Sequence, residues 1–150
     1  MLGAIRTLIV DDSSTLRAML DVVISDNRDF RPPEHAANAS QAIELLEERL
    51  FDLVLLDINM PGMDGLQLLD HIVENELARV MIVSSSSVRG SDIRTDALKR
   101  GAVACYDKAD CIRKGDKLVE LIRQIVAQNH ESPLWLESMD RSEGRVAEEA

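Results

Sequence analysis

One run of residues constrains the fold more than any other. Phe51-Asp52-Leu53-Val54-Leu55-Leu56 is apolar but for Asp52 and closes on Asp57. A strand written this way has no solvent face, which is the situation of a central strand in a parallel sheet covered on both sides. Thr7-Leu8-Ile9-Val10 is a second such run and closes on Asp11-Asp12. Segments of helical period follow each run. Leu16, Met19, Leu20, Val23 and Ile24 recur at helical spacing, with Ser13 or Ser14 available as N-cap. Asn38 or Ser40 can cap a helix whose buried face is Ile43, Leu46 and Leu50, and Leu66, Leu69, Ile72 and Val73 predict another after the Pro61-Gly62 turn. Arg79–Val83 predicts a strand that stops at Ser84-Ser85-Ser86-Ser87. Ser91 can cap a helix through Arg100, with Gly101 as its stop. Ala102–Tyr106 is a small further strand, and Leu118, Leu121, Ile122 and Ile125 mark the last helix. Arg31–Ala37 carries Pro32 and Pro33, which confine a strand there to an edge or delay its start. Alternating units of this kind predict an α/β, doubly wound, five-stranded parallel sheet with right-handed crossovers and five surrounding helices.

Composition limits the partners. The chain has 150 residues, enough for one good core, with 45% apolar and 29% charged residues. A net charge of −10 and a pI near 4.7 argue against nucleic acid or an anionic membrane as partner. Cys105 and Cys111 have no matching Cys or His pair, so two reduced thiols are expected rather than zinc or a disulfide. No apolar stretch has the length of a signal peptide or a membrane span, so the expected location is cytoplasmic. After about Asn129 the pattern turns polar and acidic. The expected division is a folded domain over 1–128 and an acidic tail or linker over 129–150, in which Trp135 could anchor a docking segment.

In an open α/β sheet, function collects beyond the carboxyl ends of the strands. Those ends here carry Asp11 and Asp12, Asp57, Ser84 and, after the fifth strand, Lys108. Each has an ordinary explanation alone: a helix cap, a turn serine, a solvated surface charge. Together they deliver three carboxylates, a hydroxyl and an amine to one edge. Like charges that close repel unless a cation joins them, and oxygen-only ligands favour a hard ion such as Mg2+. The pattern points to phosphate chemistry at Asp57.

These residues carry a resemblance. Val10-Asp11-Asp12-Ser13-Ser14-Thr15-Leu16-Arg17, Leu56-Asp57-Ile58-Asn59-Met60-Pro61-Gly62-Met63-Asp64-Gly65, Ser84-Ser85, and Lys108 seven residues after Gly101 stand in order along Arg6 to Gln128. The chain resembles the receiver domain of two-component response regulators, especially the stand-alone chemotaxis regulator. The resemblance implies a flavodoxin-like sheet in the order 2-1-3-4-5. It implies that Asp57 takes a phosphoryl group from a sensor histidine kinase or a phosphotransfer protein. Asp12, Asp57 and the Asn59 carbonyl would hold Mg2+, with Asp11 acting mainly through a metal-bound water. Lys108 and Ser84 would contact phosphoryl oxygens, Ser84 and Ser85 would begin the switch, and an output protein would read the change. The protein would then be a phosphoacceptor rather than an enzyme acting on other substrates.

Two positions depart from that pattern. Cys105 stands where the family carries a rotating aromatic, and Tyr106 should point to the opposite side of the strand. Ala109 follows Lys108 where the family usually has proline, so the loop there is expected to differ. Val83-Ser84-Ser85, Arg89-Gly90, Ala97-Leu98 and Gly101-Ala102 are also similar to receivers that control chemotaxis methylesterases. The chain is expected to be a single-domain regulator, the alternative being a receiver from such a longer protein. A phosphatase with an aspartate nucleophile needs Asp-x-Asp, but Asn59 and Ser13 stand at the second positions. A receiver-like binding module without phosphorylation would lack part of the acidic cluster or the lysine, and a nucleotide-binding fold would carry a glycine-rich loop.

Overall fold

The computed structural model describes residues 4–58, 65–84 and 92–128. The Pro61-Gly62 turn, Asn59, Ser85, Ser91 and the stretch from 129 to 150 with Trp135 lie outside the described residues. The elements in chain order are β1 (Thr7–Val10), α1 (Ser14–Ser25), β2 (Glu34–Ala36), α2 (Ala39–Glu48), β3 (Leu53–Asp57), α3 (Gly65–Glu74), β4 (Arg79–Ser84), α4 (Asp92–Lys99), β5 (Ala104–Asp107), α5 (Lys108–Arg113) and α6 (Gly115–Ala127). All strand pairs are parallel and the order is β2-β1-β3-β4-β5, the flavodoxin-like order. Pro32 and Pro33 precede β2, which starts only at Glu34, is short and lies at the edge of the sheet.

The alternation of side chains across the sheet divides the core in two. On one face Leu8, Val10, Val54, Leu56, Val80 and Ile82 pack with Leu46 of α2, Leu69 and Ile72 of α3, and Ala97 of α4. On the other, Ile9, Leu53, Leu55, Met81 and Val83 pack with Leu20 and Ile24 of α1, Cys111 of α5, and Leu118, Ile122 and Ile125 of α6. Every residue of β3 is buried, as an uninterrupted apolar strand requires. Full burial of each large aliphatic is worth roughly 1.5–3 kcal/mol, so the sheet's centre dominates stability. Two residues expected on buried faces lie in solvent instead: Leu50, past the end of α2, is 81% exposed and Met19 is 44% exposed. Leu50 lies beyond the last turn of α2, and Met19 stays outside the buried stripe of α1 that Leu20 and Ile24 form.

The helix count also differs from the five expected, since the described residues contain six. The additional helix is α5. The Asp107 carboxylate caps it by accepting from the Ala109 N–H at 2.8 Å. A proline at 109 would have no N–H to give, so the departure noted in sequence is what permits this cap. Elsewhere the expected stops and caps that fall on described residues are present. Ser13 accepts from the Leu16 N–H and Asn38 from the Gln41 N–H. Gly101, at φ 116°, ends α4 with the paired bonds Gly101 N–H to Leu98 and Ala102 N–H to Ala97.

Gly65 opens α3 against the residue that follows Asp57. A Cβ there would lie 2.7 Å from the Ile58 carbonyl oxygen and 2.8 Å from its Cα, both backbone atoms that cannot swing aside. Gly65→Ala should therefore destabilise the fold by about 1–3 kcal/mol, the usual range for overpacking. Urea unfolding measures this, and an unchanged midpoint would show that the α3 start yields freely.

Candidate functional site

Register brings the site together. Val10 pairs with Leu56, Asp57 with Val83 and Ser84 with Asp107, so Asp11, Asp57 and Ser84 sit at neighbouring strand ends. One carboxylate oxygen from each of Asp11, Asp12 and Asp57 falls within 4.8 Å of the other two. Asp11 and Asp57 are buried, at 2% and 3% exposure, while Asp12 faces solvent. Lys108, the first residue of α5, places Nζ 3.4 Å from an oxygen of Asp11 and 3.4 Å from one of Asp57. Ser84 is also buried.

Local bonding fixes Asp11 firmly. Its N–H donates to the Ala36 carbonyl, its carboxylate accepts from the Ser13 N–H at 2.8 Å, and its own carbonyl accepts from Arg17 at 2.6 Å. Ser13 then caps α1, so the turn from strand to helix is tied down on both sides of Asp12. Burial pushes the Asp11 carboxyl above the ordinary carboxylate range. The Ser13 N–H opposes that shift, the Asp57 charge adds to it, and Lys108 opposes it. One lysine thus serves two buried carboxylates in a pocket with a third acid at its mouth. An oxygen-only set with one open side suits a hard divalent cation such as Mg2+, which keeps several waters.

The structure brings together Asp11, Asp12, Asp57, Ser84 and Lys108, while Asn59 and Ser85 lie outside the described residues. Sequence reasoning assigned no role to Arg17, which anchors the Asp11 main chain. Its signal was a cation early in a helix, where the dipole disfavours it. The fifth strand behaves as alternation required. Cys105 packs with the cluster that includes Ala97 and Ile82, and Tyr106 with the opposite cluster. Arg94 donates to the Cys105 carbonyl at 3.4 Å, and burial pushes the Cys105 thiol up to about 11, so it stays protonated.

Known proteins share this arrangement. The family model for the response regulator receiver domain matches residues 7–123. A protein-glutamate methylesterase/protein-glutamine glutaminase of Methanosarcina mazei is 32% identical over 146 residues, which is 95% of this chain and 41% of that protein. The chain thus spans less than half the length of that relative. The response regulator domain of Thermotoga maritima CheB superposes with a TM-score of 0.75 at 31% identity, over 85% of this chain and 99% of that one. CheY6 of R. sphaeroides, solved in complex with the P1 domain of CheA3, gives a TM-score of 0.71 at 31% identity over 85% of this chain and 100% of the matched one. Among the described residues no helix is long and apolar enough to cross a membrane. With a matching family model over most of its length and the acidic cluster at the matching sheet edge, the chain belongs to the response regulator receiver domain family.

Proposed function

We propose that Asp57 is a phosphoacceptor, taking a phosphoryl group from the phosphohistidine of a sensor kinase or phosphotransfer protein. The observation that carries this reading is the meeting of Asp11, Asp12 and Asp57 with Lys108 at the ends of adjacent parallel strands. A carboxylate oxygen of Asp57 forms the new O–P bond while the N–P bond breaks and its electron pair stays on the histidine. Asp11, Asp12, Asp57 and the Asn59 carbonyl would hold Mg2+, which when bound offsets the charge developing on the transferred group. Lys108 acts as a point charge. Held between two buried carboxylates, it can exchange the Asp57 charge for a phosphoryl oxygen without leaving its place. Ser84, buried at the end of β4, donates its hydroxyl to another phosphoryl oxygen and draws the following residues with it. Burial of Asp57 and Ser84 strengthens the contacts made at those two side chains.

The output would pass chiefly through Ser84 and residues 85–89. Cys105 is small and gains little from moving between exposed and buried positions, so no rotating ring is available on that face of β5. The complex of CheY6 with the P1 domain of CheA3 supports a kinase or phosphotransfer partner, and the similarity to CheB supports chemotaxis-type signalling. The reading takes 1–128 as the receiver and 129–150 as an acidic tail, acting in the cytoplasm on an output protein. The similarity to methylesterase receivers favours, as a second reading, a receiver that controls an attached methylesterase domain.

Two predictions follow from this assignment of roles. Acetyl phosphate with Mg2+ should add one phosphoryl group by mass spectrometry, absent in Asp57→Ala and retained in Ser84→Ala; undiminished labelling of Asp57→Ala would remove the assignment. The second concerns the division of labour between acid and base. Asp12→Ala should weaken Mg2+ binding about tenfold or more, since contacts to charged groups are worth roughly 1.5–3 kcal/mol. Lys108→Ala should leave that affinity unchanged or raise it, because a nearby cation opposes the metal. Titration calorimetry separates the two, and equal losses in both variants would contradict it.

A further inference from the structure

The opposite edge of the sheet holds a different kind of cavity. About 290 Å3 of space opens at the amino ends of the strands, lined by Arg6, Arg31, Arg49, Glu34 and Phe51 among others. Three guanidinium groups against one carboxylate leave a local charge of +2 in a chain whose net charge is −10. The backbone sets this up. Ile5 and Phe30 form a parallel bridge and both pack on the cluster beneath α1 and α6. Alternation therefore turns the next residues, Arg6 and Arg31, together onto the other face. The Arg31 N–H donates to the Ile5 carbonyl, the Arg6 N–H to the Asp52 carboxylate, and the Arg6 carbonyl accepts from the Asp52 N–H, so neither position is free to shift.

Like charges placed side by side on a sheet are destabilising. Arg49 has Glu34 as its ion-pair partner, but among the described residues neither Arg6 nor Arg31 has a carboxylate partner. Asp52 is engaged with the Arg6 main chain instead. Two adjacent cations with no ion-pair partner among the described residues, in a concavity that Phe51 also lines, form a receptor for an oxyanion. We propose that this cavity binds the phosphate group of a small phosphorylated molecule, at the sheet edge remote from Asp57. The charge matches: a phosphate monoester carries roughly −1.5 to −2 at pH 7. Phe51, 8% exposed, leaves only the small accessible part of its ring for the organic part of such a ligand. Inorganic phosphate would use the same guanidinium groups without that contact.

The experiment is an NMR titration of the full chain with inorganic phosphate and, separately, phenyl phosphate. Chelator is present to remove divalent cations, and ionic strength is held constant with chloride. Saturable shifts should centre on the amides of Arg6, Arg31, Glu34, Arg49 and Phe51, with phenyl phosphate binding several-fold more tightly than phosphate. Arg6→Gln/Arg31→Gln removes only exposed charge and should weaken both by about tenfold or more. Equal affinity for the two probes would assign the site to free phosphate and remove the organic ligand. Non-saturating shifts, shifts confined to the Asp57 edge, or full binding by the double variant with an unchanged melting temperature would overturn the proposal. None of these outcomes bears on labelling of Asp57, so the two sites fail or stand separately.

Discussion

Two carboxylates buried beside each other set the terms for the rest of this molecule. Asp11 and Asp57 are almost fully removed from water and share one lysine between them. Ionised groups lose far more solvation on burial than a single shared ion pair returns. The arrangement survives because everything under it is rigid and apolar. β3 is buried along its whole length, β1 and β4 flank it in register, and layers of helix close both faces. The stability held in that core tolerates a charged edge that would not persist on a looser scaffold.

The same rigidity fixes what moves. Asp11 is held through its N–H, its carbonyl and its carboxylate at once, so the acidic pocket is preorganised. Lys108 sits at the start of a short helix capped by Asp107, which gives its amine a fixed approach to both acids. On the proposed reading, change on phosphorylation would begin at the hydroxyl of Ser84, at the end of β4. At β5, Cys105, whose carbonyl accepts from Arg94, stands at the position where the resemblance places a moving ring.

Much of this was legible in sequence because each signal was local. The runs ending at Asp11 and Asp57 specify strands through their lack of polar alternation, and Gly101 specifies a helix stop through its left-handed conformation. The site residues were legible as a set, since strand ends in a parallel sheet share one edge. What stayed hidden depended on tertiary placement. Met19 and Leu50 carry the right spacing for burial yet stay exposed, Leu50 because the helix ends before it. The helix at 108–113 depends on an N–H at Ala109 meeting a side chain two residues back. The pairing of Arg6 with Arg31 depends on a bridge between residues 25 apart, Ile5 and Phe30.

The proposed reading implies that the acidic cluster strains the metal-free fold and that Mg2+, held by Asp11, Asp12 and Asp57, would relieve it. Burial raises the Asp11 carboxyl from its ordinary value of 3.8, so folding favours its neutral form more than the unfolded chain does. Stability from that preference is present at low pH and lost as pH rises through the folded value, which leaves ionised Asp11 a burden at pH 7. Thermal unfolding of wild type and Asp11→Asn, each in chelator and in Mg2+, tests this directly, because asparagine can still accept from the Ser13 N–H. The account predicts that in chelator the variant melts higher at pH 7, that this advantage vanishes toward pH 3.8, and that Mg2+ raises the wild type more than the variant. A variant that melts lower in chelator at pH 7, with an equal rise in Mg2+, would contradict it.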